Sequence, residues 1–226
     1  MIQDNYGYIE MEQDPVGNPG RTGDSLAETS RYVSIAYVIG DNPKINLAYF
    51  VTDKGCLRHP DSPWREDDCS GDQVFPLIAA SALTQPELLA KVLKQIKDAG
   101  YKTGNGDFIT PGMLGQIRRA EDKKFLAISD IPLVIQAVLF KIPFRWSDSK
   151  KKFESNDDSS GDYLNFINTL AFAKAKGNIS LPMKLAMKLI SKEKCLEKVK
   201  HYYRNEPNSQ GLVELYEKSL GKIYAL

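Results

Sequence analysis

Apolar and polar residues along this chain follow the helical period almost throughout, in two styles. Some segments are apolar on nearly every side, and others carry a single apolar stripe. The first strongly periodic segment, SLAETSRYVSIAYVIG (25–40), places Leu26, Thr29, Val33, Ala36 and Tyr37 on one helical face, widened by Tyr32, Ile35 and Ile39. Ser25 followed by Glu28 has the spacing of a capping box, and Gly40 supplies a stop. SGDQVFPLIAASALT (70–84) opens with the same device, Ser70 with Gln73, before a helix apolar on most faces. Pro76 falls beyond the first helical position there, which predicts a local kink or a late start. Segments 129–141 and 161–176 are again apolar nearly all round, as suits helices in the middle of a core. Amphipathic helices are predicted over 86–99, 112–124, 181–205 and 210–224. Segment 43–51 is short and apolar, and fits helix or strand equally.

A degenerate repeat organises these elements. DDCSGDQVFPLIAASAL (67–83) and DDSSGDYLNFINTLAFA (157–173) share Asp-Asp-x-Ser-Gly-Asp before an apolar helix. Gly-Asp and Ser-Asp precede the apolar segments at 25 and 131, so four apolar helices begin beside an acidic residue: Asp24, Asp72, Asp130 and Asp162. Alternation of apolar and amphipathic helices predicts an all-α array of helical hairpins, one helix of each pair inside and one outside. With parallel inner helices, the acidic starts share one end of a single domain over 1–226. The polar loops 52–69 and 143–160 lead into that end.

Composition narrows the function classes. The chain has 226 residues, 42% hydrophobic and 26% charged, enough for one well-buried core or two small ones. Its net charge of +1 gives no global attraction to nucleic acid or anionic lipid. The charge is uneven, with net −4 over residues 1–120 and net +5 over 121–226. No apolar run approaches the roughly 20 residues needed to span a bilayer. The opening MIQDNYGYIEMEQD has neither the basic nor the apolar region of a secretory leader. Three cysteines (Cys56, Cys69, Cys195) are few for a disulfide scaffold, so reduced thiols in a cytoplasm are expected.

Aspartate and serine at a helix start are ordinary caps, each worth about 1 kcal/mol. Their company in the loops is less ordinary. Arg58, His59, Trp64, Arg65, Glu66, Asp67 and Asp68 crowd one loop, and Arg145 and Trp146 open the other. Indole rings stack on sugars, carboxylates and arginines bind hydroxyls, and a carboxylate pair is what acid–base glycoside hydrolysis needs. Three motifs are set aside. GDSL (23–26) lacks the preceding strand and the late Asp-x-x-His of the hydrolases that carry it. Cys56-x-x-His59 with Cys69 lacks the second half of a zinc site. GNGD (104–107) lacks the helix entry and lysine of a phosphate loop. No cofactor is called for.

RHPDSPWREDDCSGDQVFPLIAA (58–80), with GDSLAETSR (23–31) upstream, resembles a group of uncharacterised bacteriophage-encoded proteins with a Gly-Asp-Ser, Arg-His-Pro, Ser-x-Asp-Gln-x-x-Pro-Leu-Ile pattern. That pattern is similar in turn to inner-helix starts of (α/α) toroid carbohydrate-active proteins. The resemblance covers residues 6–85, and implies a partial toroid and a viral protein of the host cytoplasm. About four hairpins fit this length, so the ring is incomplete, either an open cleft or one that closes against another copy of the chain. Two functions are expected from it. The first is binding or processing of a glycan in a polar, aromatic-lined cleft, as a glycoside hydrolase or polysaccharide lyase if catalytic. Asp72 and Glu28 would then be the proton-transfer pair and Trp64 the stacking platform. Asp67 and Asp68 would orient Arg58 or substrate hydroxyls, with Asp24 and His59 completing the cleft. The second is a non-enzymatic virion or accessory component that binds other phage proteins. The first repeat copy should hold the working site, with Asp72 within reach of Arg58 or His59, while Asp162 caps its own helix.

Overall fold

The computed structural model describes residues 8–9, 25–58, 69–104, 109–122, 160–206 and 209–225. Among them are eight α-helices: α1 (Ser25–Ile39), α2 (Gly71–Thr84), α3 (Pro86–Asp98), α4 (Pro111–Ala120), α5 (Ser160–Ala175), α6 (Leu181–Leu189), α7 (Lys192–Tyr202) and α8 (Gln210–Tyr224). The chain is mostly helical, as the periodicity requires. The expected inner helix 129–141 lies outside the described residues.

Local signals set most of the boundaries. Gln73 Oε1 accepts from the Ser70 backbone N–H at 2.7 Å and the Ser70 side chain accepts from the Gln73 backbone N–H, so the expected capping box is formed. Gly40, at φ +88°, turns the chain so that the Asp41 N–H reaches the carbonyl of Ala36 at 3.1 Å, and Gly177 ends α5 in the same way. No late start occurs at Pro76. α2 begins at Gly71 and runs through it, and the missing N–H leaves the Asp72 carbonyl without its helical donor. Segment 43–51 becomes a 3-10 turn, Leu47–Phe50, in which the Asn46 side chain accepts from the Ala48 N–H at 3.0 Å. An antiparallel bridge, Val51 to Cys56, follows it.

The predicted helix over 181–205 is two helices. Ile190 is extended (φ −111°, ψ 102°), and the Ser191 side chain caps α7 by accepting from the Lys194 N–H at 3.2 Å. The Tyr224 hydroxyl donates to the Ile190 carbonyl at 2.6 Å, satisfying an acceptor that the break exposes.

Two apolar clusters form the core, and α1 is the wall between them. Leu26 and Val33 enter the first, with α2, α3, α4, Leu47 and Phe50. Ile35 enters the second, with α5, α7 and α8. α1 packs on α2, α5 and α8, and α2 packs on α5. Three of the four expected inner helices therefore meet at the centre.

Hydrogen bonds fix their directions. Asn165, in the second turn of α5, bonds Arg31 of α1 and Asp72 of α2, so these three helices start at one end. At the other end Lys222 Nζ of α8 donates to the Ile39 carbonyl at 3.0 Å, and Lys174 Nζ of α5 to the Ala225 carbonyl at 2.9 Å. α1, α5 and α8 are thus parallel. α7 runs back against α5 and α8, its last residues lying at the starts of α1 and α5. Among the described residues no helix is long and apolar enough to cross a membrane.

Candidate functional site

The starts of α1, α2 and α5 converge on one polar cluster. Glu28, in the first turn of α1, is 1% exposed, and Arg31, one turn on, is 4% exposed. Both belong to a helix that is buried on nearly every side, so their charges face protein rather than water. Arg31 Nη1 donates to Glu28 Oε1 in a close ion pair. The end of α7 brings two tyrosines to the same carboxylate: Tyr202 donates to Oε1 at 3.2 Å, and Tyr203 to Oε2 in a short hydrogen bond. Tyr203 stacks edge-on with Tyr202 and lies 6.0 Å, ring to ring, from Tyr216 of α8. Beyond the ion pair, Arg31 Nη2 donates to Asn165 Oδ1 at 3.0 Å, and Asn165 Nδ2 donates to Asp72 Oδ1 at 3.2 Å. One polar chain therefore runs from the α7 tyrosines through Glu28, Arg31 and Asn165 to Asp72, crossing four helices.

Electrostatics match this geometry. Burial works against the charge of Arg31, but the Glu28 carboxylate beside it prevails and its pKa is raised. Burial, reinforced by the negative charge of Glu28, holds the Tyr203 hydroxyl well above its ordinary range. Tyr216 is raised for the same two reasons. At its buried end the cluster thus pairs Glu28 with Arg31 beside the Tyr203 and Tyr216 phenols, closed to solvent.

Glu28 was expected to complete a capping box with Ser25. Its carboxylate instead points inward and accepts from three side chains, while α1 begins at Ser25 itself. Asp72 is exposed in the first turn of α2, and its hydrogen-bond partner is Asn165 rather than Arg58. Two side chains, Arg31 and Asn165, stand between the Asp72 and Glu28 carboxylates. Arg58 is half-buried, and its backbone carbonyl accepts from the Leu26 N–H at 2.9 Å, seating the end of the bridge segment on the start of α1. Asp162 lies exposed inside the first turn of α5, where a negative charge favours the helix dipole. Asp24, His59, Trp64, Asp67 and Asp68 lie outside the described residues.

Arg31, Asn165, Tyr202, Tyr203 and Tyr216 carry the cluster, yet sequence reasoning gave none of them a role. One local signal was available, since an arginine three residues after a glutamate on an otherwise apolar helix is a ready-made internal pair. The tyrosines come from the far end of the chain, and no spacing announces them.

No protein-family model, curated protein or solved structure matches this chain.

The cysteines differ from expectation. Cys56 and Cys69 are paired as a disulfide, with Cα atoms 6.0 Å apart, because the Val51–Cys56 bridge folds back onto the residue that precedes the α2 cap. Only Cys195 is free, and it is buried, with its thiol pKa raised by that burial. Among the described residues no group of three or more histidine, cysteine, aspartate or glutamate side chains is placed to hold a metal ion.

Proposed function

We propose that this chain is a non-enzymatic assembly protein that binds a protein partner through α6. It would belong with the bacteriophage-encoded proteins that its Gly-Asp-Ser and Arg-His-Pro pattern resembles, on a scaffold derived from a partial (α/α) toroid. The observation that carries the reading is an exposed leucine ridge. Leu181, Leu185 and Leu189 of α6 are 70%, 52% and 86% exposed, and their spacing of four puts them on one face. Met187, on the opposite side, is buried and anchors the helix. Lys184 and Lys188 are exposed along one flank of the ridge. A strip about 12 Å long of leucines edged by lysines suits an apolar groove bordered by carboxylates, the helix-in-groove mode of recognition. Enclosing three leucines that are mostly exposed would supply about 3–6 kcal/mol before the costs of association.

The internal commitment of Glu28 supports the same reading, since a carboxylate sealed by three donors is poorly placed to exchange protons with a bound substrate. A second reading, glycan binding, is favoured by exposed Asp72 beside the Asn165 amide, at the end where the loop carrying Trp64 enters α2. In that reading Asp72, Arg58 and the loop residues contact hydroxyls without cleaving them.

Mass spectrometry of purified particles tests the assembly reading. Wild-type chain should be recovered with them, and Leu185→Glu/Leu189→Glu should be lost from them while remaining folded. Equal recovery of both would remove the ridge from the argument. Turnover of any oligosaccharide by wild type in a hydrolysis screen would overturn the non-enzymatic reading.

A further inference from the structure

The seam where α1, α5 and α8 meet contains polar groups that neither core cluster explains. Asn168 of α5 and Ser219 of α8 are both 0% exposed. The Asn168 amide nitrogen and oxygen and the Ser219 hydroxyl have no hydrogen-bond partner among the described residues. Their level in the seam follows from bonds on either side of it. Moving one turn down both helices from the Arg31–Asn165 bond reaches Ser34 and Asn168. Stepping back equally along both helices from the Lys174–Ala225 bond reaches Asn168 and Ser219. Ser34, Asn168 and Ser219 thus come from about the same level of three parallel helices, beyond the Glu28–Arg31 pair. Ser34 donates to the Ser30 carbonyl at 3.1 Å, which leaves its oxygen lone pairs to accept. The Ser30 hydroxyl, one turn nearer Glu28, is also buried and unpartnered among the described residues.

We propose that this layer binds ordered internal water, held by the Asn168 amide and the Ser219 hydroxyl and donating to Ser34. The lining selects the ligand. It carries no charge, so it does not call for an ion. It offers donors and acceptors together, so an apolar molecule would leave them all unmet. Water, which donates two hydrogen bonds and accepts two, satisfies such a mixed set within a narrow seam. Bound there, it bridges α5 to α8 and α1 and holds their parallel register, much as a single buried polar residue fixes register in a coiled coil. The inference is independent of what α6 binds.

Oxygen-17 magnetic relaxation dispersion detects waters held longer than the tumbling time of the protein. A chain of this length holds on the order of eight buried waters, so the informative quantity is the difference between variants. Asn168→Leu/Ser219→Ala, checked for folding by circular dichroism, should lose the amplitude of at least one long-lived water. An unchanged amplitude in the folded variant overturns the proposal. Should the variant fail to fold, a high-resolution crystal structure of wild type decides. Density within hydrogen-bond distance of both Asn168 and Ser219 is expected. A dry layer, with Asn168 turned to a protein partner, would refute it.

Discussion

Replacing Glu28 by glutamine changes one oxygen for an amino group and should destabilise the fold severely. In the wild type the carboxylate accepts from Arg31, Tyr202 and Tyr203, and none of its side chain is exposed. Glutamine keeps one acceptor and sets a donor against either the guanidinium or a phenol. The larger loss is electrostatic, because Arg31 remains buried with its counter-charge removed. Breaking a buried ion pair from one side costs about 3–5 kcal/mol. At roughly 2–4 °C per kcal/mol for a chain of this size, the melting temperature should fall by about 6–20 °C. Urea unfolding followed by circular dichroism, with calorimetry, measures both quantities. Glu28→Gln/Arg31→Met should recover most of the loss, since removing both charges leaves no uncompensated ion. A Glu28→Gln protein within about 1 kcal/mol of wild type would refute this account of the cluster. Unchanged stability joined to loss of a measured turnover would restore Glu28 as a proton-transfer residue.

Three other outcomes follow from the same contacts. Tyr203 and Tyr216 are raised above their ordinary pKa of 10.0 by burial and by Glu28, so they stay protonated in the fold while the unfolded chain ionises. Stability complete below about pH 10 should therefore fall as pH rises further, by up to ~1.4 kcal/mol per pH unit for each tyrosine; urea midpoints that are no steeper in wild type than in Tyr203→Phe would contradict this. Alkylation of the denatured, unreduced protein should label Cys195 alone, and reduction of the 13-residue Cys56–Cys69 span should lower stability by about 3 kcal/mol; labelling of all three cysteines would disprove the pairing. Ser191→Ala removes the α7 cap and should cost about 1 kcal/mol, with no loss expected if 181–205 were one continuous helix.

What the sequence made legible was local. The Ser70–Gln73 box, the glycine stops at 40 and 177 and the all-round apolar runs depend on residues within a turn or two of each other, and each reappears in the fold. The Ser191 cap was equally local but went unread, because the apolar stripe on either side of it kept its phase closely enough to pass for one helix. The buried cluster was less legible for a different reason. Glu28 has the spacing of a capping residue, and spacing cannot distinguish a carboxylate that bonds its own helix from one that bonds a tyrosine 175 residues away. Burial decides between the two. α1 is packed on α2, α5 and α8, so the first-turn glutamate has no water to turn toward and must find donors inside. The aspartates of α2 and α5 begin their helices at the same end yet stay exposed. Enclosure of its helix, more than the motif, thus separates Glu28 from Asp72 and Asp162. A motif shared by several helices in one array can therefore yield a structural ion pair in the central helix and accessible carboxylates in its neighbours.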